Sequence, residues 1–267
     1  MKIAIKLFIL ITFYILTSCS NKKEVYDSKG NTIAEYELVN GKISGEYKEF
    51  YNDGKLKAIH NYKNGIKIDS STYYNANKEI ILIKKYLQKD TIYEKEFKDN
   101  VLISEGKYLS NNQLGKWKYF RQNGKLEKII EYVNFCGHQY TNQGWYFDEN
   151  GKFEPGKGNY FEVSTLKKIY KKDELIVITI TYKPLYSSSP KFTIYFHPKV
   201  DSKFCNLSDI PVDSRIAENN KFTLPLTFST VGNKNLRGVI EETVIKENDS
   251  KTHGQRLVYF DIPIKIE

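Results

Sequence analysis

From about residue 26 to residue 150 the chain alternates between aromatic or aliphatic side chains and charged or polar ones. After Gly54, for example, Leu56, Ala58, His60 and Tyr62 share one parity, and Lys57 and Asn61 share the other. A period of two belongs to a half-buried antiparallel strand, because successive side chains point to opposite faces. Turn-forming residues cut these segments at Gly30, Asn40-Gly41, Gly54, Asn64-Gly65, Asn77, Lys89-Asp90, Asp99-Asn100, Asn111-Asn112, Gly124 and Gly151. Most intervals are 10 to 13 residues. Asn-Gly and Asp-Gly accept the positive φ that tight hairpins require. The pattern predicts a β-meander of two-strand units, each about 23 to 24 residues long. Residues 133–143, with Cys136-Gly137-His138 inside them, break the rhythm.

The segments also repeat. Gly45-Glu46-Tyr47-Lys48-Glu49-Phe50-Tyr51-Asn52-Asp53-Gly54-Lys55-Leu56 aligns with Gly115-Lys116-Trp117-Lys118-Tyr119-Phe120-Arg121-Gln122-Asn123-Gly124-Lys125-Leu126. Weaker copies place an aromatic residue four positions before the turn: Tyr26 with Gly30, Tyr73 with Asn77, Phe147 with Gly151. Together with Asn61-Tyr62-Lys63-Asn64-Gly65, these segments resemble MORN-repeat variants over residues 25–155, with the repeat Gly replaced at Asn77 and lost at Val101. The resemblance implies an elongated, twisted sheet of hairpins that binds or scaffolds. Many such proteins carry an antitoxin or immunity label, so neutralisation of a partner toxin is a second reading.

After Gly156-Lys157-Gly158 the repeat stops. Residues 175–183, 191–196, 221–228 and 256–266 read as strands, and Ser187–Pro190 and Asn233–Asn235 as turns. Pro225 lacks the N–H that an interior strand needs, which predicts a sheet edge. Short strands with Pro, Gly and Asn turns suggest a β-sandwich over residues 160–267. This part loosely resembles immunoglobulin-like modules of Bacteroidetes lipoproteins, without their Cys–Trp–Cys signature. The expected fold is all-β: a hairpin-repeat meander followed by a β-sandwich.

The chain starts with Lys2 and Lys6, continues with an apolar run over residues 7–16, and reaches Leu16-Thr17-Ser18-Cys19. The run is shorter than the about 20 apolar residues that span a bilayer, and has the length of a signal-peptide core. The segment resembles a bacterial lipoprotein leader. The resemblance implies cleavage after residue 18, lipidation of Cys19 and a membrane anchor. Ser20, in place of Asp, resembles the signal of cargo sent on to the outer membrane. Residues 19–24 read as a polar tether.

The formal charge of +9 becomes +7 once Lys2 and Lys6 leave with the leader. Lysines spread over alternating positions cover solvated faces and blunt sheet edges; their functional reading is attraction to lipid headgroups or acidic glycans. An exported protein is not expected to bind nucleic acid. Cys136 and Cys205 fall in different expected domains, which argues against a bridge, since one needs Cα atoms within about 7 Å. Cys136 and His138 lack the further ligands of a metal site, and the four His are scattered. No catalytic motif, metal or cofactor is indicated, so the chain is not expected to be an enzyme. The repeated aromatics first serve to pack across strands. A ligand such as a sugar ring would be stacked by Tyr47, Tyr51, Trp117, Tyr119 and Trp145. The expected role is a lipid-anchored envelope protein that binds a protein partner or a glycan through its repeat sheet.

Overall fold

Turn chemistry sets the architecture. At Asn64-Gly65 both turn residues are left-handed, with φ of 53° and 81°, the geometry of a two-residue hairpin turn whose twist matches its strands. Other turns are longer and bulged. Tyr51 N–H donates to Lys55 O at 2.8 Å and Gly54 N–H to Tyr51 O at 2.9 Å, with a register shift between Glu49 and Phe50. The same closure recurs at Asp27–Asn31, Arg121–Lys125 and Asp148–Lys152. In the last of these, backbone N–H groups of Lys152 and Asn150 donate to Asp148 and hold its carboxyl below the usual range. Asp99-Asn100 and Ser110-Asn111 make left-handed pairs without glycine, because Asn and Asp tolerate that region best after Gly.

The computed structural model describes residues 21–88, 90–165, 167–184, 191–245 and 253–267. The leader, Cys19, Ser20, Lys89 and the expected turn at Ser187–Pro190 lie outside the described residues. The described residues contain strands and no helix. The chain divides into two units, Met1–Lys78 and Glu79–Glu267, a division that falls inside the repeat region.

The first unit holds β1 (Asn21–Tyr26), β2 (Thr32–Val39), β3 (Lys42–Ile43), β4 (Gly45–Phe50), β5 (Leu56–Lys63) and β6 (Ile66–Tyr74). The order is β1-β2-β4-β5-β6, with β3 pairing β2. Residues 21–24, polar enough to suggest a tether, lie in β1, which is exposed throughout and pairs with β2 from Asn21↔Leu38 to Tyr26↔Thr32. Small and large side chains share one face. Ala34, Glu49, Ala58 and Tyr73 form one cross-strand row, beside a second in which Tyr47, His60 and Ser71 pair. Ala34 and Ala58 are buried.

The second unit continues the hairpin pattern with β7 (Ile80–Tyr86), β8 (Thr91–Lys98), β9 (Val101–Leu109), β10 (Asn112–Phe120), β11 (Leu126–Phe135), β12 (His138–Phe147) and β13 (Phe153–Thr165). Residues 133–143, which break the spacing in sequence, do not break the meander. They form the end of a long hairpin turning at Cys136-Gly137, with φ of 50° and 88°. Trp117 on β10 lies against Gly106 on β9, where an added Cβ would sit 2.3 Å from the indole. The missing side chain is the seat of the ring.

The sandwich comprises β14 (Ile169–Tyr170), β15 (Ile176–Lys183), β16 (Lys191–His197), β17 (Asp213–Ile216), β18 (Lys221–Leu226), β19 (Gly232–Ile245) and β20 (His253–Ile266). Asn233–Asn235, expected as a turn, are strand residues within β19. One layer is the run β13-β15-β18; the other is β14-β20-β19-β16-β17. Pro225 lies on the terminal strand β18, opposite Val177, where its missing N–H breaks no ladder. Ile176, Ile178, Ile180 and Tyr182 alternate inward from β15 and meet Ile194, Ile240, Phe260 and their neighbours from the other layer. The Tyr182 hydroxyl donates to the buried Glu242 at 2.8 Å. No linker separates repeat from sandwich: β13 pairs with β12 up to Asn159 and with β15 from Tyr160 onward.

Cys136 and Cys205 are bonded, with Cα atoms 5.0 Å apart, contrary to the expectation that separate domains keep them apart. The β11–β12 hairpin reaches the outer face of the β19–β20 layer. There Val133, Phe135 and Tyr140 pack with Val239, Tyr259 and Phe204. The loop after β16 lies alongside, and Cys136 N–H donates to Lys203 O at 3.0 Å. This nonlocal packing brings the two thiols together.

Candidate functional site

The second unit presents a basic sheet face. Cross-strand pairs run Lys85↔Tyr93↔Lys107 and Lys95↔Glu105↔Lys118, and Lys116 lies two residues before Lys118 on β10. These five lysines share the face opposite to the one that buries Trp117, since side chains alternate along a strand. Lys85, Lys107, Lys116 and Lys118 are exposed. Glu105 is the buried acid among them. Lys118 Nζ and Lys95 Nζ lie 3.1 Å and 3.3 Å from its carboxylate. Burial alone would raise its pKa, but hydrogen bonds from Lys118, Tyr93 and Lys95 outweigh that and hold it below the usual range. Burial and the bond to Glu105 push the Tyr93 phenol up to about 12.

This face opens on a cleft of about 380 Å³ bordered by Lys116, Glu131, Trp145, Phe161, Tyr259 and Asp261. The size lies within the range of small-ligand sites. Its floor is fixed by hydrogen bonds. Asn142 Nδ2 donates to Tyr259 O, and Tyr259 N–H donates to Asn142 Oδ1, both at 2.8 Å. Phe161 N–H donates to Gln143 Oε1 at 2.8 Å. Asn142 and Gln143 also donate to Glu131 Oε2 at 2.7 Å and 2.6 Å, which aims that carboxylate. Lys116 Nζ sits 4.2 Å from the Trp145 ring centroid, and Trp145 stacks beside Tyr160 at 5.9 Å. Arg237 holds Asp261 at 3.0 Å. The Cys136–Cys205 bridge secures the wall carrying Ser202 and Phe204.

Of the five aromatic residues singled out in sequence, Trp145 alone borders this cleft. Trp117 is 1% exposed, and its indole N–H donates to Lys107 O at 2.9 Å. The Tyr119 hydroxyl meets that of Tyr132 at 2.8 Å, on the face bearing Trp117. Tyr47 stacks on Tyr36 at 5.4 Å in the first unit, where the Tyr51 hydroxyl donates to Tyr74 O at 2.6 Å. Sequence reasoning missed Lys116, Glu131, Asn142, Gln143, Phe161 and Asp261. The parity of Lys116 and Lys118 around Trp117 was the available signal; the rest depends on which strands cross.

The first unit contains a Ser–His–Glu arrangement. His60 Nδ1 is 2.7 Å from Ser71 Oγ, and Nε2 is 3.1 Å from Glu49 Oε1. Ser71 is 0% exposed, so no substrate reaches its hydroxyl. Lys67 Nζ, which only donates, lies 3.3 Å from His60 Nδ1. Nδ1 is therefore the acceptor, and Nε2–H donates to Glu49. Burial and the Lys67 charge lower the His60 pKa from its ordinary 6.5, against the opposing pull of Glu49. A depressed imidazole pKa means that the unfolded chain binds the proton first, so stability falls with pH below about 6.5. We expect the unfolding midpoint of the first unit to drop between pH 7 and pH 5, and His60→Phe to flatten that slope. An equal slope in both proteins would remove His60 as its source.

A scan against protein-family models gives no match to this chain, and a search of curated proteins gives none either.

Proposed function

We propose that this protein is a lipid-anchored binding protein of the cell envelope, with the repeat sheet as its recognition surface. The observation that carries the reading is the basic face of β7–β10 opening on a hydrogen-bonded cleft at Trp145. A partly buried aromatic residue, a fixed carboxylate and exposed ammonium groups suit recognition. The resemblance of residues 25–155 to MORN-repeat variants supports binding rather than a reaction. The leader pattern ending at Cys19 supports the anchor, and Ser20 supports the outer membrane. Two or three acyl chains at Cys19 would make attachment stable where one chain binds marginally.

Cys19→Ala is expected to move the protein from the membrane to the soluble fraction of the native cells, and crosslinking of the anchored form should recover its envelope partner through the β7–β10 face. Full membrane retention of the Cys19→Ala protein would overturn the anchoring.

A further inference from the structure

We infer that the ligand of this face is an anionic glycan chain, one sugar of which stacks on Trp145 while its carboxylate or phosphate groups pair with the lysine row. The inference rests on the binding reading above and names the ligand of the same site. Lys85, Lys95, Lys107 and Lys118 lie on β7, β8, β9 and β10, and Trp145 on β12. At about 4.8 Å per strand, β7 to β12 spans about 24 Å, which suits a chain rather than a single sugar. Glu105 is engaged by Lys95 and Lys118, whereas Lys85 and Lys107 are exposed and face outward.

The cleft asks for a different chemistry from the row. Glu131 is an acceptor whose Oε2 is committed to Asn142 and Gln143, leaving Oε1 for a donor from a ligand. An ionised carboxylate accepts only, so it repels anionic groups and selects hydroxyls. A ligand that places hydroxyls at Glu131, a C–H face on Trp145 and negative charge on the lysines is a carboxylated or phosphorylated glycan. Lys116, resting over Trp145 at 4.2 Å, would move from the ring to a ligand anion as the sugar takes its place. A flat bilayer suits the row but not the cleft, whose walls at Asp261 and Ser202 stand beside the aromatic ring.

The test uses the full lipidated chain in detergent micelles, titrated with polygalacturonate oligomers and followed by tryptophan fluorescence and calorimetry. Binding should weaken with added salt, as screening requires. It should fall by about tenfold or more in the Lys107→Glu/Lys116→Glu protein and stay unchanged in Lys168→Glu, an exposed lysine of the sandwich. Trp145→Phe should keep the site folded and remove the fluorescence response, since Trp117 is buried. Equal binding of a neutral glucan, or no binding of polygalacturonate, would overturn the inference. So would oligodeoxythymidylate or phosphatidylglycerol vesicles binding through the same lysines as well as the glycan does. If glycan fails while a protein partner crosslinks to this face, the glycan inference falls and the binding reading stands. If glycan binds but Cys19→Ala stays on the membrane, the anchoring falls and the glycan inference stands.

Discussion

Trp117→Ala should destabilise the second unit by about 3–5 kcal/mol, the usual cost of removing a buried tryptophan side chain. The ring is the largest fully buried side chain of the chain's described residues, and it fills the space above Gly106. Tyr108 meets it edge-on at 4.9 Å, and the indole N–H satisfies Lys107 O. A sheet with few apolar residues to spare gains this cover from a single ring. Gly106→Ala alone should also destabilise, because its Cβ would overlap the indole. Combining the two should cost less than their sum, since the alanine at 106 enters the vacated space. Denaturant melts of the four proteins measure the coupling. Strict additivity would mean that Trp117 and Gly106 do not share one packing site.

The second large effect is expected from Cys136→Ser/Cys205→Ser. The bridge closes a sequence separation of 69 residues, and the chain-entropy relation gives about 4 kcal/mol for a loop of that size. Reductant should therefore lower the unfolding midpoint of the wild type and leave that of the double variant unchanged. The first unit, which contains neither cysteine, should melt as before. The Ser202–Phe204 wall should loosen as well, so polygalacturonate affinity should fall in the double variant. A wild-type midpoint indifferent to reductant would show that the two cysteines are not bonded in solution.

Local chemistry explains what was legible beforehand. The left-handed pair Asn64-Gly65, the edge proline at Pro225 and the strand at 175–183 each depend on neighbours a few residues away. The strand repeat was readable for the same reason, and so was the all-β class. The apparent break at residues 133–143 misled because strand length is set by what the hairpin end packs against, here Tyr259 and Phe204.

The site was less legible because face identity is not a local property. Trp117 and Trp145 both lie in strands of the repeat, within Lys116-Trp117-Lys118 and Gly144-Trp145-Tyr146, yet one is buried against Gly106 and the other borders a cleft. A bulge between Glu131 and Tyr132 sits where Glu131 joins the cleft. Such a shift changes which positions face together. The amide floor at Asn142 and Gln143 exists because β12 meets β20, whose Tyr259 is 117 residues away from Asn142. By itself the sequence determined the all-β class, the hairpin turns of the repeat and the supply of lysine and aromatic side chains, since period two and positive-φ turns act over a few residues. Only the tertiary structure decided which aromatic rings are covered, which carboxylate borders the cleft and which cysteines meet, since each depends on elements that come together only on folding.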